Sequence, residues 1–238
     1  MILQCENVTK QFGKLTAVNN LSFEVKRGEI FGVAGPNGAG KTTLFNLITG
    51  MFAYKGKIAF DGENISGLAE YKICQRGIAR TFQIPQLFSS LPVYDNIRVG
   101  AHFGGNKVDD EHNAITEAVE FTGLKGKEHV LAGNLNLIDK KRTMIASALA
   151  TKPKLLMLDE PIAGLNPAEI RSSVDMIKKI NTELGLAVII IEHFMKVLAE
   201  VSKRLMILEN GEKIFIGTPL EVTNDSRVIK CYLGKGYA

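Results

Sequence analysis

Gly35-Pro36-Asn37-Gly38-Ala39-Gly40-Lys41-Thr42 decides the fold of this 238-residue chain. The stretch follows an apolar run, Ile30 to Ala34, and precedes a helix-like segment, Thr43 to Ile48. Strand, glycine-rich loop and helix in that order make a phosphate-binding loop. Glycines let consecutive backbone N–H groups turn toward one anion, and the start of the helix adds partial positive charge. Gly35, Pro36, Asn37, Gly38, Ala39, Gly40, Lys41, Thr42 and Thr43 are therefore candidate contacts to a nucleoside triphosphate. In such a loop the Lys41 ammonium reaches the β- and γ-phosphates, and the Thr42 hydroxyl ligates Mg²⁺. An accidental glycine turn is the alternative, and the flanking strand and helix weigh against it.

Working outward, composition is ordinary for a globular protein, with 45% hydrophobic and 23% charged residues. A formal charge of +4 suits a phosphate ligand or anionic headgroups. The basic residues are scattered, so no nucleic-acid partner is expected. Cys5, Cys74 and Cys231 lie far apart without metal spacing and read as free thiols of a reducing compartment. The start of the chain turns polar too soon for a signal peptide. Leu186 to Ile191, the longest apolar run, is far too short to cross a bilayer. A cytoplasmic protein is expected, and any membrane role needs a partner.

Alternating residues at Val8, Leu21–Val25 and Lys57–Asp61 predict half-buried strands, with a hairpin turn at Asp61-Gly62. From Pro85 to Ala150 the pattern is helical, near Val93–Gly100 and Glu111–Thr122, broken at Gly104-Gly105 and Gly123–Gly126. Leu155–Leu158 and Ala187–Ile191 are buried strands. Between them Asn166, Pro167 and Glu169 open a helix with a capping box. Arg204–Leu208 and Lys213–Ile216 flank a second hairpin turn at Asn210-Gly211.

Phosphate loops serve kinases, GTPases, motors and transport ATPases alike, and the later residues discriminate. Asp159 and Glu160 end an apolar strand, where the first can hold Mg²⁺ through water and the second can polarise an attacking water. An acidic strand-to-loop junction is the bland reading. His193 ends the next buried strand, either as a structural histidine or as a γ-phosphate contact.

Taken in order, these residues resemble the ATP-binding cassette ATPases over almost the whole chain. The phosphate loop, Arg80-Thr81-Phe82-Gln83, Leu158-Asp159-Glu160-Pro161, Ala163-Gly164-Leu165-Asn166 and His193 carry the likeness, with Asn166 where the family has Asp. The resemblance implies an α/β fold. A P-loop NTPase core (residues 1–84 and 151–238) would carry an N-terminal antiparallel β subdomain and an inserted α-helical subdomain (85–150). It implies ATP and Mg²⁺, with Gln83 contacting the metal and sensing a membrane partner. Phe12 would stack on adenine with Val18 beneath it, unless Phe12 is simply a core residue. Gly77–Gln83, Leu158–Pro167, Glu192-His193, Gly217–Val222 and Val228–Gly234 look like the branched-chain amino-acid uptake branch. Expected partners are a second cassette, two membrane permeases and a solute-binding protein, at the cytoplasmic face of the cell membrane. Leu87, Phe88, Leu91 and Tyr94 are either permease contacts or core of the helical subdomain.

One segment departs from the family. Where Leu-Ser-Gly-Gly-Gln is usual, Leu135-Asn136-Leu137-Ile138-Asp139 precedes a helix placed at Lys140–Ala150. This signature acts on the partner's nucleotide. Asn136 can still cap the helix, with Asp139 completing an N-cap box. Ile138 is expected to block close approach, and the Asp139 carboxylate repels phosphate unless turned away. A heterodimer is therefore favoured over a homodimer, with the competent site at this chain's own phosphate loop. A regulatory cassette of low turnover is the alternative.

Overall fold

A computed structural model describes residues 1–104 and 110–233, with backbone alone for residues 232 and 233. Gly105 and Gly234, quoted above, lie outside the described residues. In chain order the elements are β1 (Leu3–Phe12), β2 (Leu15–Val25), β3 (Ile30–Ala34), α1 (Lys41–Ile48), β4 (Lys55–Phe60) and β5 (Glu63–Asn64). Then follow α2 (Glu70–Gln75), β6 (Ile78–Arg80), α3 (Val93–Phe103), α4 (Glu111–Thr122), α5 (Leu137–Ala150) and β7 (Leu155–Asp159). The remainder is α6 (Pro167–Leu184), β8 (Ala187–Ile191), α7 (Met195–Val201), β9 (Arg204–Glu209), β10 (Glu212–Gly217), α8 (Pro219–Asn224) and α9 (Ser226–Leu233). The chain forms two compact units, one from Met1–Glu70 with the chain from Ala187 onward, the other from Tyr71–Leu186.

In the first unit the expected antiparallel sheet runs β2-β1-β4-β5. Asp61-Gly62 closes β4 onto β5 with Phe60 opposite Glu63. Both turn residues have positive φ, 51° and 85°, the two-residue geometry that matches strand twist. A second layer holds the phosphate loop. β3 lies parallel between β8 and β9, with Val33 opposite both Ile191 and Met206. All five residues of β3 and of β8 are buried, as unbroken apolar runs require when both faces are covered. β10 returns antiparallel along β9 around Asn210-Gly211, again with both φ values positive.

The second unit pairs β6 with β7 in parallel and carries the helices α3 to α6. α4 starts at Asp110, whose carboxylate accepts the Asn113 N–H, and ends at left-handed Gly123. α6 opens with the full capping box: the Asn166 side chain accepts the Ala168 and Glu169 N–H groups, and Glu169 accepts the Asn166 N–H. α5 differs from expectation. It begins at Leu137, three residues before Lys140, so Asn136 is the N-cap and Leu137 to Asp139 of the altered signature segment form the first helical turn. Among the described residues no helix is long and apolar enough to cross a membrane.

Candidate functional site

In the first unit the candidate residues gather at the loop between β3 and α1. Gly35, Gly38 and Gly40 all take positive φ values, 148°, 79° and 98°. Two of them are forced by neighbours. A Cβ on Gly35 would lie 2.1 Å from the Leu208 carbonyl oxygen, and one on Gly40 2.3 Å from that of Ala17. Gly38 faces open space, with nothing within 4 Å of a Cβ, so here the missing side chain leaves room for a ligand. Asn37, Gly38 and Thr42 are exposed, whereas Thr43 is half-buried and Ala39 is buried. The Ala39 N–H bonds the Pro36 carbonyl at 3.2 Å, so it serves the loop's own fold.

Lys41 is buried, and its ammonium donates to the carbonyls of Gly35 (2.7 Å) and Pro36 (3.0 Å). A cation held by neutral carbonyls at the mouth of the loop is one that an anion can draw out. Gly40 caps α1 in the left-handed region with no side chain covering the helix start. The β9–β10 turn braces the loop from behind, with the Gly211 N–H on the Ala39 carbonyl at 3.1 Å.

Phe12 sits at the end of β1, 41% exposed, edge-on to Phe52 at 5.2 Å and with the Lys10 ammonium 4.8 Å from its ring. It is an exposed aromatic face and no core residue. Val18 is a correction: it is fully buried and presents no surface to a nucleotide. His193 follows β8 and is exposed, its backbone N–H on the carboxylate of buried Glu192 at 3.3 Å.

In the second unit the candidate residues gather at the ends of β6 and β7. Asp159 is buried and accepts the Arg80 guanidinium at 2.9 Å. Burial pulls the Arg80 pKa below its ordinary value, and the bond to Asp159 offsets only part of that. Arg80 also packs over the Phe82 ring at 4.9 Å. Sequence reading assigned Arg80 no role, because nothing but the parallel register of β6 on β7 brings it to Asp159.

Glu160 follows at φ 49°, a left-handed conformation that costs a non-glycine residue roughly 1–3 kcal/mol and is found where function over-determines it. Its carboxylate accepts the Gln83 amide at 2.7 Å, and its carbonyl accepts the ammonium of buried Lys141 at 2.8 Å. Gln83 thus holds the Glu160 carboxylate. Further along, Asn96 accepts the Phe88 N–H and donates to the Leu91 carbonyl. The turn so fixed leaves Phe88 and Leu91 exposed while Leu87 and Tyr94 are half-buried.

At the start of α5 the Asn136 side chain accepts the Asp139 N–H at 2.9 Å, so the cap forms as expected. The reciprocal half of the box does not. The Asp139 carboxylate is buried and turns to the Lys127 ammonium at 2.5 Å, which neutralises it. Ile138 is also a correction: it is buried, and the exposed apolar residue is Leu137, packed so that a Cβ on Gly164 would lie 3.0 Å from it.

A family model described as ABC transporter matches residues 18–163. The chain belongs to the ATP-binding cassette transporter family, ATPases coupled to transport. A second model, described as branched-chain amino acid ATP-binding cassette transporter, matches residues 212–238. The cassette is 36% identical to the high-affinity branched-chain amino acid transport ATP-binding protein BraF of Pseudomonas aeruginosa, over 98% of both chains. It is also 36% identical to the lipopolysaccharide export system ATP-binding protein LptB of Haemophilus influenzae, over 99% of this chain and 98% of that one. Its fold matches a nucleotide-free ATP-binding cassette from an ABC transporter with TM-score 0.90 at 29% identity, over 98% of this chain and 99% of that one. The cassette binds ATP, and the loop with Lys41 falls within the matched residues 18–163.

Proposed function

We propose that this chain is the ATP-hydrolysing subunit of an importer for branched-chain or other hydrophobic amino acids. It would work at the cytoplasmic face of the cell membrane with a second cassette, two permeases and a solute-binding protein. The observation that carries the substrate class is the match of residues 212–238 to the branched-chain model, alongside the likeness to BraF.

In this reading Lys41 leaves the carbonyls of Gly35 and Pro36 for the β- and γ-phosphates, gaining charge-assisted bonds. Phe12 offers its face to adenine. Glu160 takes the proton of the attacking water, and Gln83 aims that carboxylate. His193 donates to the γ-phosphate. Thr42, Asp159 and the carbonyl oxygen of Gln83 are hard oxygen donors that suit Mg²⁺. Among the described residues no cluster of three or more His, Cys, Asp or Glu side chains forms a cage, as fits a cation that arrives with phosphates and keeps its waters. When bound, Mg²⁺ would neutralise charge developing on the phosphates. The partner cassette would supply an unaltered signature, making a heterodimer in which this chain's phosphate loop is the competent site.

Two measurements test this. In the assembled transporter, Glu160→Gln is expected to lower ATP turnover by ~100-fold or more while ATP still binds; turnover near the unsubstituted level sinks the assignment. Cells lacking the chain are expected to lose uptake of labelled leucine, restored by the unsubstituted chain and not by Glu160→Gln. Intact uptake with failed lipopolysaccharide export would instead favour the LptB-like role.

A further inference from the structure

The ammonium of Lys141 is buried, and it donates at 2.8 Å to the backbone carbonyl of the one residue here assigned as general base. A purely packing role at this position would be served by Met or Leu without the cost of desolvating a cation. Glu160 needs such a hold. Its φ of 49° is unfavourable for a side-chain-bearing residue, and rotation about that backbone swings the carboxylate away from its Gln83 partner. The same carbonyl also accepts the Ala163 N–H at 3.3 Å, so Lys141 and the turn grip one oxygen from two sides.

Lys141 lies on α5, one turn beyond Leu137 on the same helix face. Leu137 packs against the turn at Gly164, so the first turns of α5 touch the segment 160–164 twice, through an apolar contact and a charged hydrogen bond. A shift of the helix start would therefore move the Glu160 carbonyl with it. We infer that Lys141 is a positioning residue that aims Glu160 and ties it to the signature end of its own helix. Occupancy of the partner's nucleotide at that helix start is thereby felt at this chain's own water-activating carboxylate. The inference rests on Glu160 being the general base.

The test compares Lys141→Met and Lys141→Arg in the assembled transporter, with steady-state ATP turnover and thermal unfolding measured on each. For Lys141→Met we expect kcat to fall about tenfold, as for a catalytic group misplaced by a fraction of an ångström, with KM for ATP changed less than about twofold. The Hill coefficient for ATP is expected to fall toward about 1, as the two sites uncouple. Lys141→Arg, which keeps a donor, is expected to recover most of kcat and of the cooperativity. A kcat for Lys141→Met equal to the unsubstituted value overturns the inference, as does a loss of kcat that Lys141→Arg fails to recover while it unfolds at the unsubstituted temperature. Should Lys141→Met not fold, Lys141→Arg and Lys141→Gln decide, since the neutral amide retains N–H donors on a shorter stem and is expected to keep partial turnover with reduced cooperativity. If Glu160→Gln itself retains turnover, the general-base reading falls first and this inference with it. If Glu160→Gln is inactive and Lys141→Met is not, the inference alone fails.

Discussion

The two helix starts proposed to meet phosphate are made differently. At α1 the backbone does the work: Gly35 and Gly40 are squeezed against the carbonyls of Leu208 and Ala17, and Gly38 stands open. At α5 there is no glycine, and side chains do the work: Asn136 caps, Lys127 neutralises Asp139, and Leu137 stands exposed. A backbone site can surround an anion from several directions, because nothing projects from it. A side-chain site offers one amide and the helix dipole, behind an apolar residue. In the proposed function, this difference is how one chain would keep its own hydrolytic residues and still present a weakened face to a partner.

The comparison breaks most severely at Gly40. Gly40→Val adds a branched side chain at φ 98° against the Ala17 carbonyl, and ~3 kcal/mol or more of folding stability should be lost. Denaturant unfolding measures the loss, and binding of a fluorescent ATP analogue should vanish with it. A stable, nucleotide-binding variant would mean that the loop can reshape, and that glycine is not what separates the two helix starts. Leu137→Gly asks the reverse question. Removing the exposed leucine should raise turnover at the partner's site about fivefold, the weight of one added backbone hydrogen bond of ~1 kcal/mol. This is read in a complex whose own site is silenced by Glu160→Gln. No gain would move the weakness from the leucine to the Asp139–Lys127 pair. The smallest effect is expected from Asn136→Ala, which deletes the cap alone and should cost about 1 kcal/mol in thermal unfolding. A loss well above that would show that Asn136 holds more than its own helix.

Much of this was legible from one sequence because the signals are local. The strand–loop–helix around Gly35, the two-residue turns at Asp61 and Asn210, and the Asn166–Glu169 box each specify geometry within a few residues. Side-chain direction at the start of α5 was not local. With the helix placed from Lys140, Ile138 falls in a loop and projects; with the helix running from Leu137, Ile138, Lys141 and Ile145 share its buried face. Asp139 could complete its box or pair with Lys127, and tertiary placement of the lysine decides. Val18 carried the same ambiguity, since an apolar residue in a strand suits a ligand shelf and a core equally well. Arg80 beside Asp159 was invisible, because 79 residues separate them and a strand pairing joins them.

The hairpin turn at Asn210-Gly211 began as a mark of where two strands meet. It also bonds Ala39, and β3 itself is flanked by β8 and β9, which follow it by more than 150 residues. On the ribosome the chain emerges N-terminus first. The phosphate loop is translated early, yet β8, β9 and the Asn210-Gly211 turn that brace it emerge long after it. Nascent chains halted before Gly211 should therefore be blind to ATP, and the cell's nucleotide pool can act as a folding aid only once that turn has emerged.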